Sequence, residues 1–376
     1  MSTTPLRLTA PDAALAALLA HVGAPVPARH LLVAAALGHV LAEPLRAAGP
    51  VPAAPVALRD GWAVVAAETE GAGPYAPLPL MTTPRRVAAG DPLPTPANAV
   101  LPPFDLVLEG PFAQALQAIA PGEGVRGVGE EMGAGHVLRH AGERLAARDL
   151  PALAMLGVAG VAVRAPRCAW IATGDEIVAD PTRDTLAPVF AALLGALGAE
   201  LRVRPPVPDD PAAIAAALHA AVADHDVLLL VGGTGEGAGD RSAAGLADAG
   251  TLDVHGIGAR PGMTAGGGAV ACRPVLLLPG RAEDALAAWV LLLRPLLLDL
   301  MGVAAPTPAT ARLARSVAST VGLAELVPLR LGPDGAEPLA LGALPAGALA
   351  AADGILVVPA ASEGYEAGAT IPICPL

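Results

Sequence analysis

The residues from Asp226 to Asp240, DVLLLVGGTGEGAGD, run an unbroken apolar stretch straight into a glycine-rich turn that ends in an acid. Val227, Leu228, Leu229, Leu230 and Val231 predict a strand covered on both faces, as in a parallel sheet. Gly232, Gly233, Gly235, Gly237 and Gly239 then remove side chains where backbone N–H groups could close around an oxyanion or a nucleotide. Two further strand ends carry polar residues: Thr173-Gly174-Asp175-Glu176 follows the apolar run Cys168 to Ala172, and Pro279-Gly280-Arg281 follows Pro274 to Leu278. In a parallel sheet all three loops leave by one edge, where ligands bind in open α/β folds. Their convergence is the functional argument, because a single glycine turn is often only a tight loop.

The elements needed to hold those loops are visible in the surrounding pattern. From Arg167 to Gly302 the chain alternates strand-like and helix-like segments, which predicts an α/β domain. Leu186, Val189, Phe190, Leu193, Leu194 and Leu197 recur at spacings of three and four, one face of a helix. Leu201 to Arg204 reads as a strand, Asp210 and Pro211 open a helix carrying Ile214, Leu218 and Val222, and Ala282 to Met301 reads as a closing helix. Upstream, Asp12 to Val22 predicts a short helix with Asp12 as its N-cap, and His30 to Val40 predicts another. Between Pro44 and Pro111 prolines recur and helical periodicity vanishes, which predicts a small β-rich domain. A glycine-punctuated segment, Gly122 to Pro166, contains the helix-like run Asp149 to Leu156. Beyond Pro306, Leu323 to Leu376 reads as short strands joined by turns, a β-barrel or sandwich.

Composition removes several function classes. The 376 residues are 54% hydrophobic but only 2% aromatic, so small aliphatic side chains must fill the core. A net charge of −12 argues against nucleic-acid binding. The chain contains no lysine, so neither a Schiff base nor a lysine phosphate clamp is available. Cys168, Cys272 and Cys374 lack metal-ligand or disulfide spacing, and a cytoplasmic location is expected. The N-terminus lacks a signal-peptide pattern, and the most lipid-like run, Trp289 to Met301, is broken by Arg294, Pro295 and Asp299, so no membrane segment is expected. His219 and His225 have no metal-site partner at useful spacing. A nicotinamide site is disfavoured because the turn after Val231 lacks a G-x-G-x-x-G at a helix start.

Ordinary structural roles compete for several of these residues. Asp210 reads as a helix N-cap rather than a ligand. Asp175 could cap a helix or meet a ligand, and Asp226 could be a turn acid or a contact from the strand edge. Glu130 reads as solvated, and Trp62 as core of the β-rich domain rather than a stacking platform.

The ordered motifs TGDEIV (173–178), VPDDP (207–211), DVLLLVGG (226–233), GAGD (237–240), RPG (260–262), LPG (278–280) and ADGILVVP (352–359) resemble one family. LGHVLAEPL (37–45), RDGWAV (59–64), AAGDPLP (88–94), VRGVGEE (125–131) and GERL (142–145) precede them in the same family order. The family is that of the molybdopterin molybdenumtransferases, the molybdenum insertases of the MoeA and gephyrin E-domain type. The resemblance spans nearly the whole chain and implies a multi-domain α/β plus β protein. Residues 1–45 and 122–166 would form a discontinuous helical and extended domain, 46–121 an inserted β-rich domain, 167–304 a three-layer α/β/α molybdopterin-binding domain around a parallel sheet, and 305–376 a C-terminal β-barrel. It further implies a homodimer in which the α/β domain of one subunit faces the inserted β domain of the other. The implied reaction takes adenylylated molybdopterin (molybdopterin-AMP) and molybdate, uses Mg²⁺, and yields molybdenum cofactor and AMP. A molybdopterin adenylyltransferase or an apo-molybdoenzyme would be a partner.

Residue by residue, the resemblance implies catalytic acids at Asp60, Glu131, Glu176, Asp209 and Asp240, with an aspartate usual where Glu131 stands. It implies pterin and nucleotide contacts at Thr173, Gly174, Asp175, Gly232, Gly233, Thr234, Gly235, Arg260, Pro279, Gly280 and Arg281. Carboxylates beside phosphates and molybdate would repel them unless a divalent cation intervened, so Asp209 and Asp240 are the expected metal ligands. The chain also departs from the family pattern. The Asn-Ser pair before Asp60 is absent, and the threonine of the Met-Thr-Gly-Ala-Pro-Leu-Pro loop is Ala89. Lys-Pro-Gly-Lys-Pro becomes Arg260-Pro261-Gly262-Met263-Thr264, the serine of Gly-Gly-Val-Ser-Val-Gly becomes Gly235, and Pro-Gly-Asn-Pro becomes Pro279-Gly280-Arg281-Ala282. Arg281 could hold a phosphate bidentately, as asparagine cannot. Two readings stay open: an insertase, or a catalytically weak or inactive molybdopterin-binding paralogue acting as carrier or scaffold.

Overall fold

A computed structural model describes residues 6–109, 112–237, 239–303 and 308–375. Ala238 of the glycine turn, the first five residues, the domain boundary expected at 304–305, Pro306 and Leu376 lie outside the described residues. The chain divides into two compact units, one of Pro44–Ala141 with Ala147–Ala159, the other of Met1–Glu43, Gly142–Ala146 and Gly160–Leu376.

The first of these units is β-rich, as its prolines and missing helical period predict. The strand Gly61–Val64 pairs antiparallel with Arg85–Val87 and with Ala99–Leu101. A second ladder joins Phe112–Ala115 to Leu106–Glu109 and Leu78–Pro79. Val64, Leu101, Leu106 and Ile119 form the core between them, and Trp62 packs half-buried against it. The guanidinium of Arg86 lies 5.6 Å from the Trp62 ring centroid.

The second unit is organised by a six-stranded sheet. Its strands are β1 (Arg167–Ala172), β2 (Glu200–Val203), β3 (Val227–Val231), β4 (Thr251–His255), β5 (Gly266–Val270) and β6 (Arg273–Leu278), in the order β2-β1-β3-β6-β5-β4. β2, β1, β3 and β6 are mutually parallel. Alternate residues of these strands serve two cores, which is the reason for their unbroken apolar runs. Cys168, Trp170, Val227, Leu229, Val231, Leu276 and Leu278 face one side, with Phe190 and Leu194 of a helix at Leu186–Leu197 and Leu18 of a helix at Pro11–Leu19. Ala169, Ile171, Leu228, Leu230, Val275 and Leu277 face the other, with Ile214 and Leu218 of Pro211–Val222 and Leu246 of Ser242–Ala249. The result is a three-layer α/β/α arrangement.

Several expectations need correction. The sheet is not wholly parallel, because β5 runs antiparallel to both β6 and β4. β5 is the glycine-rich GGGAV, whose composition hid it; a Cβ at Gly268 would sit 1.9 Å from the Thr251 carbonyl oxygen. The segment expected to be a helix at His30 to Val40 instead begins as the strand Arg29–Leu32, paired antiparallel with Gly160–Arg164, and only Val33–Ala36 is helical. A partner distant in sequence overrides the local alanine propensity. Asp12 does not cap the first helix, since Pro11 already occupies its first turn; Asp12 stands within that turn, where it complements the helix dipole. The closing helix is interrupted at Trp289–Leu293 by a π turn, with the Arg294 N–H bonded to the Trp289 carbonyl. Pro295 has no N–H to continue the α ladder there.

Of the expected C-terminal β-barrel, the structure shows short strands in antiparallel pairs. Ala324–Gly332 pairs with Gly335–Pro338 and Gly354–Val358, Ala309–Arg312 pairs with Thr370–Ile373, and Val317–Ala318 pairs with Gly364–Tyr365. Single bridges link these ladders, Leu313 with Ala336 and Ile355 with Cys374, and they share a core of Leu313, Val327, Leu329, Leu356 and Ile371. No helix among the described residues is long and apolar enough to cross a membrane.

Candidate functional site

The three loops named from sequence begin in register at one edge of the sheet. The Thr173 N–H donates to the Val231 carbonyl at 2.8 Å, and the Gly232 N–H donates to the Leu278 carbonyl at 2.9 Å. Backbone pairing therefore runs one residue past the ends of β1 and β3. Gly232 has φ +94°, and a Cβ there would lie 2.9 Å from the Thr173 carbonyl oxygen, so only glycine fits this approach of two backbones. Beyond this edge opens a cleft of about 520 Å³. Thr173, Gly174 and Glu176 line it from the first loop, Gly232, Gly233, Thr234, Gly235 and Asp240 from the second, and Pro279, Gly280 and Arg281 from the third, with Asp209 alongside.

Hydroxyl groups lock the loops together beneath the cleft. The buried Ser242 Oγ donates to the Gly232 carbonyl at 2.6 Å, and the Thr173 Oγ1 donates to the Val231 carbonyl at 3.2 Å. Thr234 is 3% exposed, and its Oγ1 donates to the Thr264 Oγ1 at 3.1 Å. His255 Nε2 lies 3.0 Å from the Thr234 carbonyl, which can only accept, so Nε2 carries the proton.

The cleft is unusually acidic for a cradle of backbone amides. Glu176, Asp209, Asp240 and Asp284 all line it. Burial holds the Asp209 carboxyl above the ordinary aspartate range, and the neighbouring charges of Glu176, Asp175 and Asp240 push the same way. The Asp209 N–H donates to Asp175 Oδ1 at 3.4 Å. Asp240 folds back over the glycine turn, its Oδ2 accepting from the Gly237 N–H at 2.6 Å. A Cβ at Gly235 would lie 2.9 Å from that same Oδ2, so a side chain at 235 requires the acid to swing away. Among the described residues no three His, Cys, Asp or Glu side chains gather as a ready-made metal cage. Arg281 is the one cation in the lining; it pairs with Glu283 and, through Nε, with Asp284 Oδ2 at 3.6 Å.

The remaining named residues lie elsewhere. Asp175 stands behind Asp209, outside the lining. Arg260 is also outside it and pairs with the buried Glu325 at 3.7 Å. Asp60 and Glu131 belong to the β-rich unit, where Asp60 Oδ1 accepts from the Ala89 N–H at 2.8 Å and Glu131 pairs with Arg126. Asp210 caps its helix by accepting from the Ala213 N–H at 3.0 Å. Asp226 is a structural acid, buried at the start of β3 and bonded to the Arg167 backbone N–H at 2.9 Å and side chain. Thr264 and Asp284 line the cleft but were not singled out. The signal for Thr264 was its place in the RPGMT motif, and for Asp284 its place in the first turn of the helix after Pro279-Gly280-Arg281.

Comparison with known proteins agrees with this architecture along the chain. Residues 9–157 match the family described as "MoeA N-terminal region (domain I and II)", residues 169–299 the "Probable molybdopterin binding domain", and residues 310–376 the "MoeA C-terminal region (domain IV)". The molybdopterin molybdenumtransferase 2 of Mycobacterium tuberculosis is 30% identical over 280 residues, which cover 66% of this chain and 69% of that one. The molybdopterin molybdenumtransferase 1 of the same organism is 27% identical over an alignment covering 93% of this chain and 95% of the other. Among solved structures, a molybdopterin biosynthesis MoeA protein from Pyrococcus horikoshii superposes with a TM-score of 0.79 at 26% identity, covering 98% of this chain and 99% of that one.

Proposed function

Because the chain belongs to the MoeA family of molybdopterin biosynthesis proteins, we propose that it is a molybdopterin molybdenumtransferase, inserting molybdate into adenylylated molybdopterin and releasing AMP. The observation that carries this reading is the glycine edge at Gly232 to Gly235 facing the acids Glu176, Asp209 and Asp240 across one cleft. Backbone amides suit the phosphate oxygens of the pterin nucleotide, and the absence of side chains at these glycines allows close approach. The carboxylates suit what such a ligand brings with it. Mg²⁺ takes one or two carboxylates and completes its shell with water and substrate phosphate, so a full protein cage is not needed. Asp209 and Asp240 would hold it, and when bound it would neutralise charge on the phosphoanhydride whose P–O bond breaks. Half-buried beside Glu176, Asp175 and Asp240, Asp209 is the acid best relieved by a cation.

Within this reading Thr173, Gly174, Gly232, Gly233, Thr234, Pro279 and Gly280 shape the pterin and nucleotide sites. Asp175 positions Asp209 through its backbone. Arg281 is held by Glu283 and Asp284 at the mouth and can offer its remaining N–H groups to a phosphate. Asp60 and Glu131 are proposed to act on the same substrate from the partner subunit of a cytoplasmic homodimer, and Arg260 to serve the anionic end of the ligand. A molybdopterin adenylyltransferase would supply the substrate, and an apo-molybdoenzyme would accept the product. No observation favours a non-catalytic carrier. The test is to incubate the purified protein with adenylylated molybdopterin, molybdate and Mg²⁺. AMP release and activation of a cofactor-free molybdoenzyme are expected, and no AMP under conditions that support a standard insertase would refute the assignment.

A further inference from the structure

We infer that the Thr264 hydroxyl is a substrate-binding donor, giving its proton to an oxyanion oxygen of the ligand in the cleft. The inference rests on the functional reading above and adds a residue to it. Three side-chain hydroxyls line the cleft, those of Thr173, Thr234 and Thr264. Thr173 spends its proton on the Val231 carbonyl, and Thr234 spends its proton on Thr264. Thr264 accepts that bond, and its own proton has no acceptor among the described residues. A half-buried hydroxyl that receives a hydrogen bond and faces a cleft is polarised to donate. An anionic oxygen is the acceptor that gains most from it.

The position of the hydroxyl is fixed from several sides. The turn carrying it is closed by the Ala265 N–H to the Gly262 carbonyl at 2.9 Å and by the Ile257 N–H to the Met263 carbonyl at 3.0 Å. Asp284 Oδ1 accepts from the Gly262 N–H at 2.7 Å, tying the turn to the helix that follows Arg281. Behind Thr264, the donor Thr234 is buried and its carbonyl is bonded to the buried His255. His255 thus holds the Thr234 backbone and the Thr234 hydroxyl holds that of Thr264, an arrangement that keeps the donor in place before the ligand arrives.

Two oxyanions share this chemistry, a phosphoryl oxygen of the pterin nucleotide and an oxygen of molybdate. Titration calorimetry of the full chain with AMP, molybdopterin and molybdate as separate probes distinguishes them. Thr264→Val keeps the shape and removes the donor, and should weaken one probe by about 10- to 100-fold, the value of a hydrogen bond to a charged group. Thr264→Ser restores the donor and should bind within about threefold of the parent, since only a methyl contact is lost. Thr264→Ser should melt at the parent temperature, Thr264→Val should melt a few degrees lower because the buried Thr234 hydroxyl loses its acceptor, and Thr264→Ala serves if the valine variant does not fold. Loss confined to AMP or molybdopterin assigns a phosphoryl oxygen, and loss confined to molybdate assigns the metal oxyanion. Parent-like binding of all three probes by Thr264→Val, or equal weakening by Thr264→Ser, overturns the inference alone. If the parent protein binds none of the three, the functional reading fails and takes this inference with it.

Discussion

Gly232→Ala should damage this protein far more than Gly235→Ala three residues away. At 232 the backbone sits at φ +94°, where an alanine costs about 1–2 kcal/mol over glycine. The new Cβ also meets the Thr173 carbonyl oxygen at 2.9 Å. That oxygen cannot easily retreat, because the Thr173 N–H and Oγ1 are both bonded to the Val231 carbonyl. Opening the contact strains or breaks one or two hydrogen bonds, each worth about 1 kcal/mol. The sum is about 2–4 kcal/mol, or a fall in Tm of roughly 5–12 °C for the unit that holds the sheet. At 235 the backbone φ is ordinary, and the new Cβ meets only the end of the Asp240 side chain, which can rotate. The expected cost there is below about 1 kcal/mol, mainly the lost bond from the Gly237 N–H. Calorimetric melting and urea unfolding of both variants check the ranking. Equal losses, or a loss below about 0.5 kcal/mol at 232, would refute the claim that the two loops are held in backbone contact.

Asp209→Asn should raise Tm at pH 7 while abolishing AMP release. A raised folded-state pKa means that ionising Asp209 destabilises the fold as pH climbs above about 4, fully so once its raised pKa is passed, and the gain from asparagine should fade below about pH 4. A lower Tm at pH 7 would contradict this sign. Phe190→Ala should cost about 3–5 kcal/mol, because the ring is fully buried with centroids 5.1 Å from Trp170 and 6.1 Å from Trp289. Its tryptophan emission should shift to the red, and unchanged emission would show that the cluster is wrongly described. A thiol reagent should label the exposed Cys272 at once and the fully buried Cys168, whose thiol burial pushes well above its ordinary range, only on unfolding. Rapid labelling of Cys168 in the native protein would show that β1 is accessible.

The parts of the fold that were legible in sequence are those whose residues had a single physical explanation. VLLLV is short and runs straight into glycines, which favours a doubly covered strand over a buried helix, and the spacing of Leu186, Phe190, Leu194 and Leu197 marks a helix face. The loops at the ends of β1, β3 and β6 followed from topology. The hairpin of β4 and β5 was illegible because GGGAV has no strand signature; its glycines answer to tight backbone approach, which depends on a neighbour far along the chain. His30 to Val40 misled for the same reason, since its pairing with Gly160–Arg164 is invisible locally. Within the site, acids and glycines announced themselves by motif, whereas Thr264 acquires its meaning only from the proton given to it by Thr234.

The helix Pro11–Leu19 has a consequence for biosynthesis. Ala14 and Leu18 are fully buried in the same core as Leu276, Leu278 and Trp289, and a Cβ at Gly267 would meet Leu18 Cδ2 at 2.8 Å. The surface that receives this helix is translated about 250 residues after it. At roughly 5–20 residues per second the helix waits about 10–50 s outside the ribosome with Leu15, Leu18 and Leu19 unsheltered. Its neighbours arrive only when β5, β6 and the broken closing helix have been made, so the α/β layer is sealed late, by a segment that emerged early. A nascent chain stalled before residue 266 should therefore be a strong client for chaperones that hold apolar helices, and one released after residue 303 should not.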